Sequence, residues 1–522
     1  MDGKTLQMLA AMACYIAVVI VIGLVFAKRA NQSSDNYFLG GRSLGPWIAA
    51  MSAEASDMSG WLLMGLPGVA YWCGAADAAW TAIGLALGTY INWLVVARRL
   101  RSYSVIAGDA ITIPDFFSAR FREKKKVLLI ISAVFILTFF TVYAASCFVT
   151  CGKLFSTLFG LSYRSMMIAG ALFVIFYTVI GGFLAESTSD FMQAIVMIFA
   201  LCVILLSGVA AAGGPAAVMA NIREIPGFTT LFGIAKPVMQ DGMQQLSGDL
   251  PLFGAAGSYG LVTILSTLSW GRGYLGVPLV LVGLWAIRKG SELKKSRRIA
   301  TTWCVISLTS AVLIGLIGRA LYPTALRTAG AAENIFIVMA TNLLPPLLAG
   351  VVMAGILAAT ISSSDSYLLI AASAFAKNIY QGVLKRDAND RQVLWTSRIV
   401  LLVISGIGMV IALDEASVIF TLVSFAWAGF GATFGPIMLT SLFWRRTTWH
   451  GAIAGMVTGA ASVFLWKTLL KPLGGMFGIY ELLPAFLLSL AVIVVVSLLD
   501  QAPSEEILSE FDLAKQTARQ DV

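Results

Sequence analysis

The chain has a single histidine, His450, and only six cysteines, and charged side chains make up 12% of its 522 residues. An ordinary soluble domain carries about 25% charged residues. One histidine leaves no His-based metal cluster and no nucleophile–base relay of the kind a hydrolase needs. The cysteines (Cys14, Cys73, Cys147, Cys151, Cys202 and Cys304) are scattered within apolar runs, so a disulfide or zinc framework has no support. Cys147 and Cys151 share a helix face as small packing residues. Long polar stretches are scarce too. The longest are residues 98–126, residues 211–257 and the tail from Gln501, and none has room for a catalytic or signalling domain.

Apolar residues account for 58% of the chain. Runs of about 20 recur throughout, the length a helix needs to cross ~30 Å of hydrocarbon. Only helices or closed barrels satisfy their backbone groups in lipid, which predicts an all-α integral membrane protein. Thirteen spans are expected, near 5–27, 46–67, 75–97, 127–152, 165–182, 186–210, 258–286, 299–321, 334–376, 394–413, 417–443, 450–469 and 479–499. The ninth is too long for one crossing and includes an oblique approach. Residues 1–500 form one transmembrane domain. Residues 501–522 form a short tail with helical periodicity over 504–515. The first span continues past 18 residues into Lys28 and Arg29 without a convincing cleavage site, so it reads as a retained helix.

The net charge of +9 would suggest nucleic acid in a soluble protein, but topology accounts for it. With the N-terminus outside, the cytoplasmic loops and tail hold 25 of the 36 Lys and Arg residues, the bias that sets orientation. No nucleic acid and no obligate protein partner is implied. The lipid bilayer is the partner, and the lack of long extracellular sugar sites or targeting tails suits a bacterial inner membrane.

Two spans carry interruptions. The second reads MSAEASDMSGWLLMGLPG (Met51 to Gly68) and the seventh LSWGRGYLGVP (Leu268 to Pro278), each mixing glycine, proline and polar residues at membrane depth. They are five spans apart. That predicts two five-helix repeats, about 46–210 and 258–443, the second inverted because five is odd. The broken helices then meet near the midplane, where transporter sites lie.

Ionisable residues inside the membrane cost about +2.5 to +3.5 kcal/mol each at a helix centre. Glu54, Asp57, Asp190, Arg272 and Asp365 are such residues, and together they point to a solute or ion path more than to charge pairs that merely tie helices. In LAATISSSDSYLL (Leu357 to Leu369), Ala359, Ser362, Ser363 and Ser366 fall on one helical stripe. Hydroxyls and freed carbonyls are hard donors suited to Na⁺; the alternative is that serines permit close packing. Trp270 and Tyr274, with Pro278, share one helical face that could receive a compact solute or simply pack.

These residues lie within longer stretches that resemble the sodium/solute symporter family, and within it the sodium/proline symporters. The stretches are DNYFLGGRSLGP (Asp35 to Pro46), ASDMSGWLLMGLPG (Ala55 to Gly68), GLALGTYINW (Gly84 to Trp93), IGGFLAES (Ile180 to Ser187), Trp270 to Pro278, and FAWAGFGATFGP (Phe425 to Pro436). The resemblance implies thirteen helices, inverted repeats and alternating access coupled to inward Na⁺ movement. It implies sodium ligands at the carbonyls of Ala55, Met58 and Ala359 and the hydroxyls of Ser362 and Ser363. For the solute it implies Asp57, Ser59, Gly60, Trp61, Tyr143, Trp270, Tyr274 and Pro278. It also implies a possible second cation at Asp190, Ser362, Asp365 and Ser366.

The chain departs from the sodium/proline pattern at Glu54, Arg272 and Val277, where those symporters carry glycine, an apolar residue and glutamine. Glu54 and Arg272 are expected either to pair or to leave Arg272 for a substrate carboxylate. L-proline is the leading solute. The alternatives are Na⁺ symport of another amino acid or small carboxylate, or a transporter-like nutrient sensor.

Overall fold

A computed structural model of the protein describes residues 3–30, 44–248 and 250–520, without the side chains at 23, 26–30, 180–185 and 520. Ten helices among the described residues are long and apolar enough to cross a membrane unaided. Three further crossings are broken or short, namely the second (Pro46–Asp57, Trp61–Gly65, Leu66–Cys73), the fifth (Tyr163–Val179) and the seventh (Leu261–Leu268, Ser269–Leu275, Pro278–Trp285). Most of the resembling stretch at 35–46 lies outside the described residues.

The second span breaks because Met58 leaves helical geometry (φ −89°, ψ 72°) and the Ser59 N–H turns back to the Asp57 carbonyl at 3.1 Å. A π-helical turn, Trp61–Gly65, then restarts the helix. The seventh span breaks differently. Ser269–Leu275 is wound as a 3₁₀ helix, and Pro278 opens the next segment, where its missing N–H costs nothing. Third and seventh spans meet backbone to backbone: a Cβ on Gly271 would lie 2.1 Å from the Gly84 carbonyl oxygen. Gly271→Ala is therefore expected to lower stability by ~1–3 kcal/mol, the usual cost of overpacking, read as an earlier thermal unfolding in detergent.

Tyr163–Ala211 is continuous helix, yet the Tyr177 hydroxyl and Ser189 Oγ are 2.6 Å apart. Residues twelve apart in a straight helix are separated by about 18 Å, so the chain folds back between them, where the sequence has Gly181 and Gly182. The two arms, Tyr163–Val179 and Glu186–Ala211, are the fifth and sixth spans. The ninth span is approached by a short helix, Ile335–Leu343, before Pro346–Ser373 and a π-helical end, Ala374–Leu384. The eighth is Leu293–Leu321, the tenth Asp390–Ile411 and the eleventh Ile419–Phe443.

The polar segment after the sixth span opens with a short helix, Pro215–Ile222, and is otherwise not helical. Among the described residues it holds three two-stranded antiparallel pairs: Gly233–Ile234 with Gly257–Ser258, Met239–Gln240 with Met243–Gln244, and Leu246–Ser247 with Leu250–Pro251. Buried Arg319 anchors it, donating to Gln244 Oε1 at 2.9 Å and lying over the Tyr71 and Phe253 rings. The tail forms a helix, Glu505–Gln520. Glu506 and Glu510 pair with Arg122, and Phe511 packs against Arg99 and Arg120.

Candidate functional site

The break in span two releases carbonyls from the helical ladder, and each finds a hydroxyl on another span. The Ala55 carbonyl accepts from Ser362 Oγ at 3.0 Å and from Ser363 Oγ at 3.5 Å, and Ser362 also reaches the Ala359 carbonyl at 3.2 Å. The Ser56 carbonyl accepts from the Tyr367 hydroxyl at 3.0 Å, and the Asp57 carbonyl from Tyr143 and Tyr367 at 3.4 Å each. All these residues are buried. Hydrogen bonds thus link four hard oxygens, from Ala55, Ala359, Ser362 and Ser363, into one cluster. That donor set, with no nitrogen or thiolate, fits a desolvated alkali cation. Met58 stands at the break with its Sδ 3.6 Å from Ser307 Oγ.

Asp57 joins the two broken helices. Its Oδ2 accepts from the Tyr274 hydroxyl at 2.7 Å, while Oδ1 has no hydrogen-bond partner among the described residues. Ser59 Oγ is likewise buried and unpartnered. Trp61 lies 6.2 Å from Trp270, and the Trp427 indole donates to the Trp270 carbonyl at 2.8 Å. The structure therefore brings Asp57, Trp61, Tyr143, Trp270 and Tyr274 together. Gly60 lies against Thr150 of the fourth span (Val127–Phe159), and Pro278 is buried where the seventh span resumes.

Asp190 Oδ2 accepts from Ser52 and Ser56, both at 2.8 Å. Ser366 donates to Glu186 and to the Ser362 carbonyl, and its N–H meets Asp365 Oδ1 at 2.8 Å. Glu186, Asp190 and Asp365 each keep one buried carboxylate oxygen without a partner. Among the described residues no three acidic, histidine or cysteine side chains converge as metal ligands. Any cation here would be held by at most two carboxylates, with hydroxyls and carbonyls completing its shell.

Two expectations need correction. Among the described residues Glu54 and Arg272 form no ion pair: Glu54 is buried near Trp93 with Oε2 unpartnered, and Arg272 keeps a buried Nη1 without a partner. The 3₁₀ winding turns ~120° per residue and sets Arg272 about 120° around the axis from both Trp270 and Tyr274, where it is only half-buried, whereas Glu54 is buried inside span two. The same winding sets Trp270 and Tyr274 about 120° apart instead of on one face. They still converge, because both rings pack on Trp427, at 6.3 and 5.1 Å. In a double-mutant cycle, Glu54→Gln and Arg272→Gln are expected to change thermal stability additively, within about 0.5 kcal/mol; a larger coupling would restore the pair.

Tyr367, Glu186 and Trp427 were not singled out by the sequence. Tyr367 lies one residue beyond the serine stripe and stacks on Tyr143 at 4.2 Å.

Residues 37–459 match the model of the sodium:solute symporter family. The chain belongs to that family. It is 40% identical to the sodium/proline symporter of Escherichia coli (strain K12) over 508 residues, covering 97% of this chain and 95% of the relative. It is 39% identical to that of Haemophilus influenzae, covering 97% of each, and 40% identical to that of Staphylococcus aureus (strain JH9), covering 97% and 96%. All three are named as symporters, not as enzymes. In fold it is similar to a substrate-bound, outward-open Na⁺-coupled sialic acid symporter, with TM-score 0.73, 18% identity, and 96% and 99% of the two chains covered. A nucleobase-cation-symport-1 family transporter in a closed conformation aligns at TM-score 0.52 and 12% identity, covering 91% and 98%. The chain is thus a multi-pass membrane transporter with the inverted-repeat architecture.

Proposed function

We propose that this protein carries L-proline into the cell together with Na⁺, by alternating access around the crossing of spans two, seven and nine. The observation that carries the reading is the junction at Asp57. One carboxylate oxygen is held by Tyr274 of span seven and the other is left without a partner, one turn from carbonyls already gathered by Ser362 and Ser363 of span nine. The near full-length similarity to sodium/proline symporters supports proline as the solute.

In this reading Na⁺ is held by the carbonyls of Ala55, Met58 and Ala359 and the hydroxyls of Ser362 and Ser363. Proline lies against Trp61, Tyr143, Trp270 and Tyr274, beside Ser59, Gly60 and Pro278. Ion and solute share one unwound segment, so each raises the affinity for the other by the same factor. Each positive charge moving inward gains about 2.3 kcal/mol per 100 mV, which drives accumulation. Asp190 with Ser362, Asp365 and Ser366 forms a second cation position. Arg272 is only half-buried and about 120° around the 3₁₀ axis from Trp270 and Tyr274, and in this reading it takes no part in holding the solute carboxylate. The basic loops support an N-terminus outside and a C-terminus in the cytoplasm, and the bacterial relatives support an inner-membrane location.

Uptake of labelled proline, other amino acids and small carboxylates into proteoliposomes, with and without an inward Na⁺ gradient, tests the assignment. Proline uptake that depends on the gradient is expected. Gradient-driven uptake of another solute with proline excluded would overturn the choice of solute.

A further inference from the structure

At the end of the bundle that carries the tail helix, spans three and eight part to leave a cavity of about 230 Å³ lined by Trp93, Leu94, Arg98, Leu293, Lys294 and Arg297. Three cations line it and no acid does. None of the three has a carboxylate partner among the described residues, because the nearby Glu292 is taken by Arg288 at 2.7 Å. Arg98 is held in place by its Nη2, which donates to the Arg519 carbonyl at 3.1 Å, while its Nε is buried with no partner. Arg297 is fixed over the Tyr90 ring at 5.3 Å.

The cavity opens onto an apolar strip. Leu87, Tyr90, Ile91 and Leu94 of span three are all more than 40% exposed and recur at helical spacing, so they face the hydrocarbon in line with Arg98 one turn beyond. Cations at the membrane boundary with an unpartnered guanidinium N–H, continuous with a lipid-facing apolar strip, match a molecule that has a phosphate at one end and an acyl chain at the other.

We propose that this cavity is a specific site for an anionic glycerophospholipid, whose phosphate is received by Arg98, Lys294 and Arg297 and whose acyl chain runs along Leu94, Ile91 and Leu87. A free phosphate would use the cations but not the strip. Lipid bound here bridges spans three and eight, which belong to different repeats, and so stabilises one arrangement of the two.

The test is native mass spectrometry of the full chain in detergent, titrated with phosphatidylglycerol, phosphatidylcholine or inorganic phosphate. One retained phosphatidylglycerol is expected, bound well ahead of phosphatidylcholine, with an affinity loss of roughly fivefold per cation removed in R98Q/K294Q/R297Q. A control that removes the same charge elsewhere, K124Q/K125Q/R386Q, is expected to keep the lipid. Equal loss in the control, no loss in the first variant, or displacement of the lipid by millimolar phosphate would each overturn the proposal. If the triple variant does not fold, K294Q alone decides, since Lys294 is exposed: unchanged phosphatidylglycerol binding in it would also overturn the proposal.

Discussion

Replacing Asp57 with asparagine is expected to raise the Na⁺ concentration for half-maximal proline uptake by roughly 10- to 100-fold. The magnitude follows from the bond to Tyr274, since a hydrogen bond to a charged group contributes ~1.5–3 kcal/mol and 1.4 kcal/mol is about a factor of ten. The direction follows from charge. The Asp57 carboxylate stands beside the released carbonyls with one oxygen unpartnered, and an amide there removes the negative field that favours a cation. Tyr274→Phe leaves the charge but removes its anchor, so it is expected to shift the same curve less. In the double variant the tyrosine change adds little, because the bond it supplied is already weakened. Uptake measured against Na⁺ concentration in proteoliposomes checks this, and an unchanged sodium dependence in D57N would remove Asp57 from the coupling mechanism.

The second large effect lies at the opposite end from the tail. Lys153, near the end of span four, and Glu333, on the approach to span nine, are both buried and pair at 2.7 Å. Glu333 also accepts the Ile419 and Phe420 N–H groups at 2.9 Å each, capping the start of span eleven. Removing one partner of a buried pair costs about 3–5 kcal/mol, because it strands the other charge. Lys153→Met is expected to destabilise by that amount. Burial pushes the Glu333 carboxyl above its usual range, and Lys153 acts to pull it back. Without the lysine the carboxyl is held higher still, so it binds a proton more tightly folded than unfolded. The deficit should then be smallest at acid pH and grow as pH rises past the ordinary carboxylate range. Adding Glu333→Gln should recover part of the loss and flatten the pH dependence. A K153M protein that unfolds at the native temperature at all pH values would show that the pair contributes nothing.

What could be read in advance follows a physical rule. A carboxylate or a glycine–proline run inside an apolar stretch has few reasons to exist, so the breaks at Met58 and before Pro278 were visible in the sequence, and so was the helical period of Ala359, Ser362 and Ser363. The partnerships were less legible. Lys153 and Glu333 are 180 residues apart, and nothing local ties them. Tyr367 and Trp427 look like ordinary packing aromatics until the released carbonyls of Ser56 and Trp270 are set against them. Glu54 and Arg272 show the opposite error. Opposite charge in two crossing helices suggested a pair, but Arg272 lies off the Trp270 and Tyr274 faces under either winding, about 160° away at 100° per residue and about 120° away at 120° per residue, in a seven-residue 3₁₀ segment packed against Gly84, Gly88 and Trp427.

The fold-back in Tyr163–Ala211 also bears on how the chain is inserted. Its arms are joined so closely that they are expected to enter the bilayer as one hairpin during synthesis. The second arm brings Glu186 and Asp190 with it, at a cost below the ~2.5–3.5 kcal/mol of a charge at a helix centre, since both lie in the first two turns of the arm. Asp190 finds its donors already in place, because Ser52 and Ser56 were made more than a hundred residues earlier. Glu186 must wait for Ser366, 180 residues later. A nascent chain that ends before span nine therefore carries an unmet acid in its sixth span, and the hairpin becomes fully committed to the membrane only when the serine-rich helix arrives.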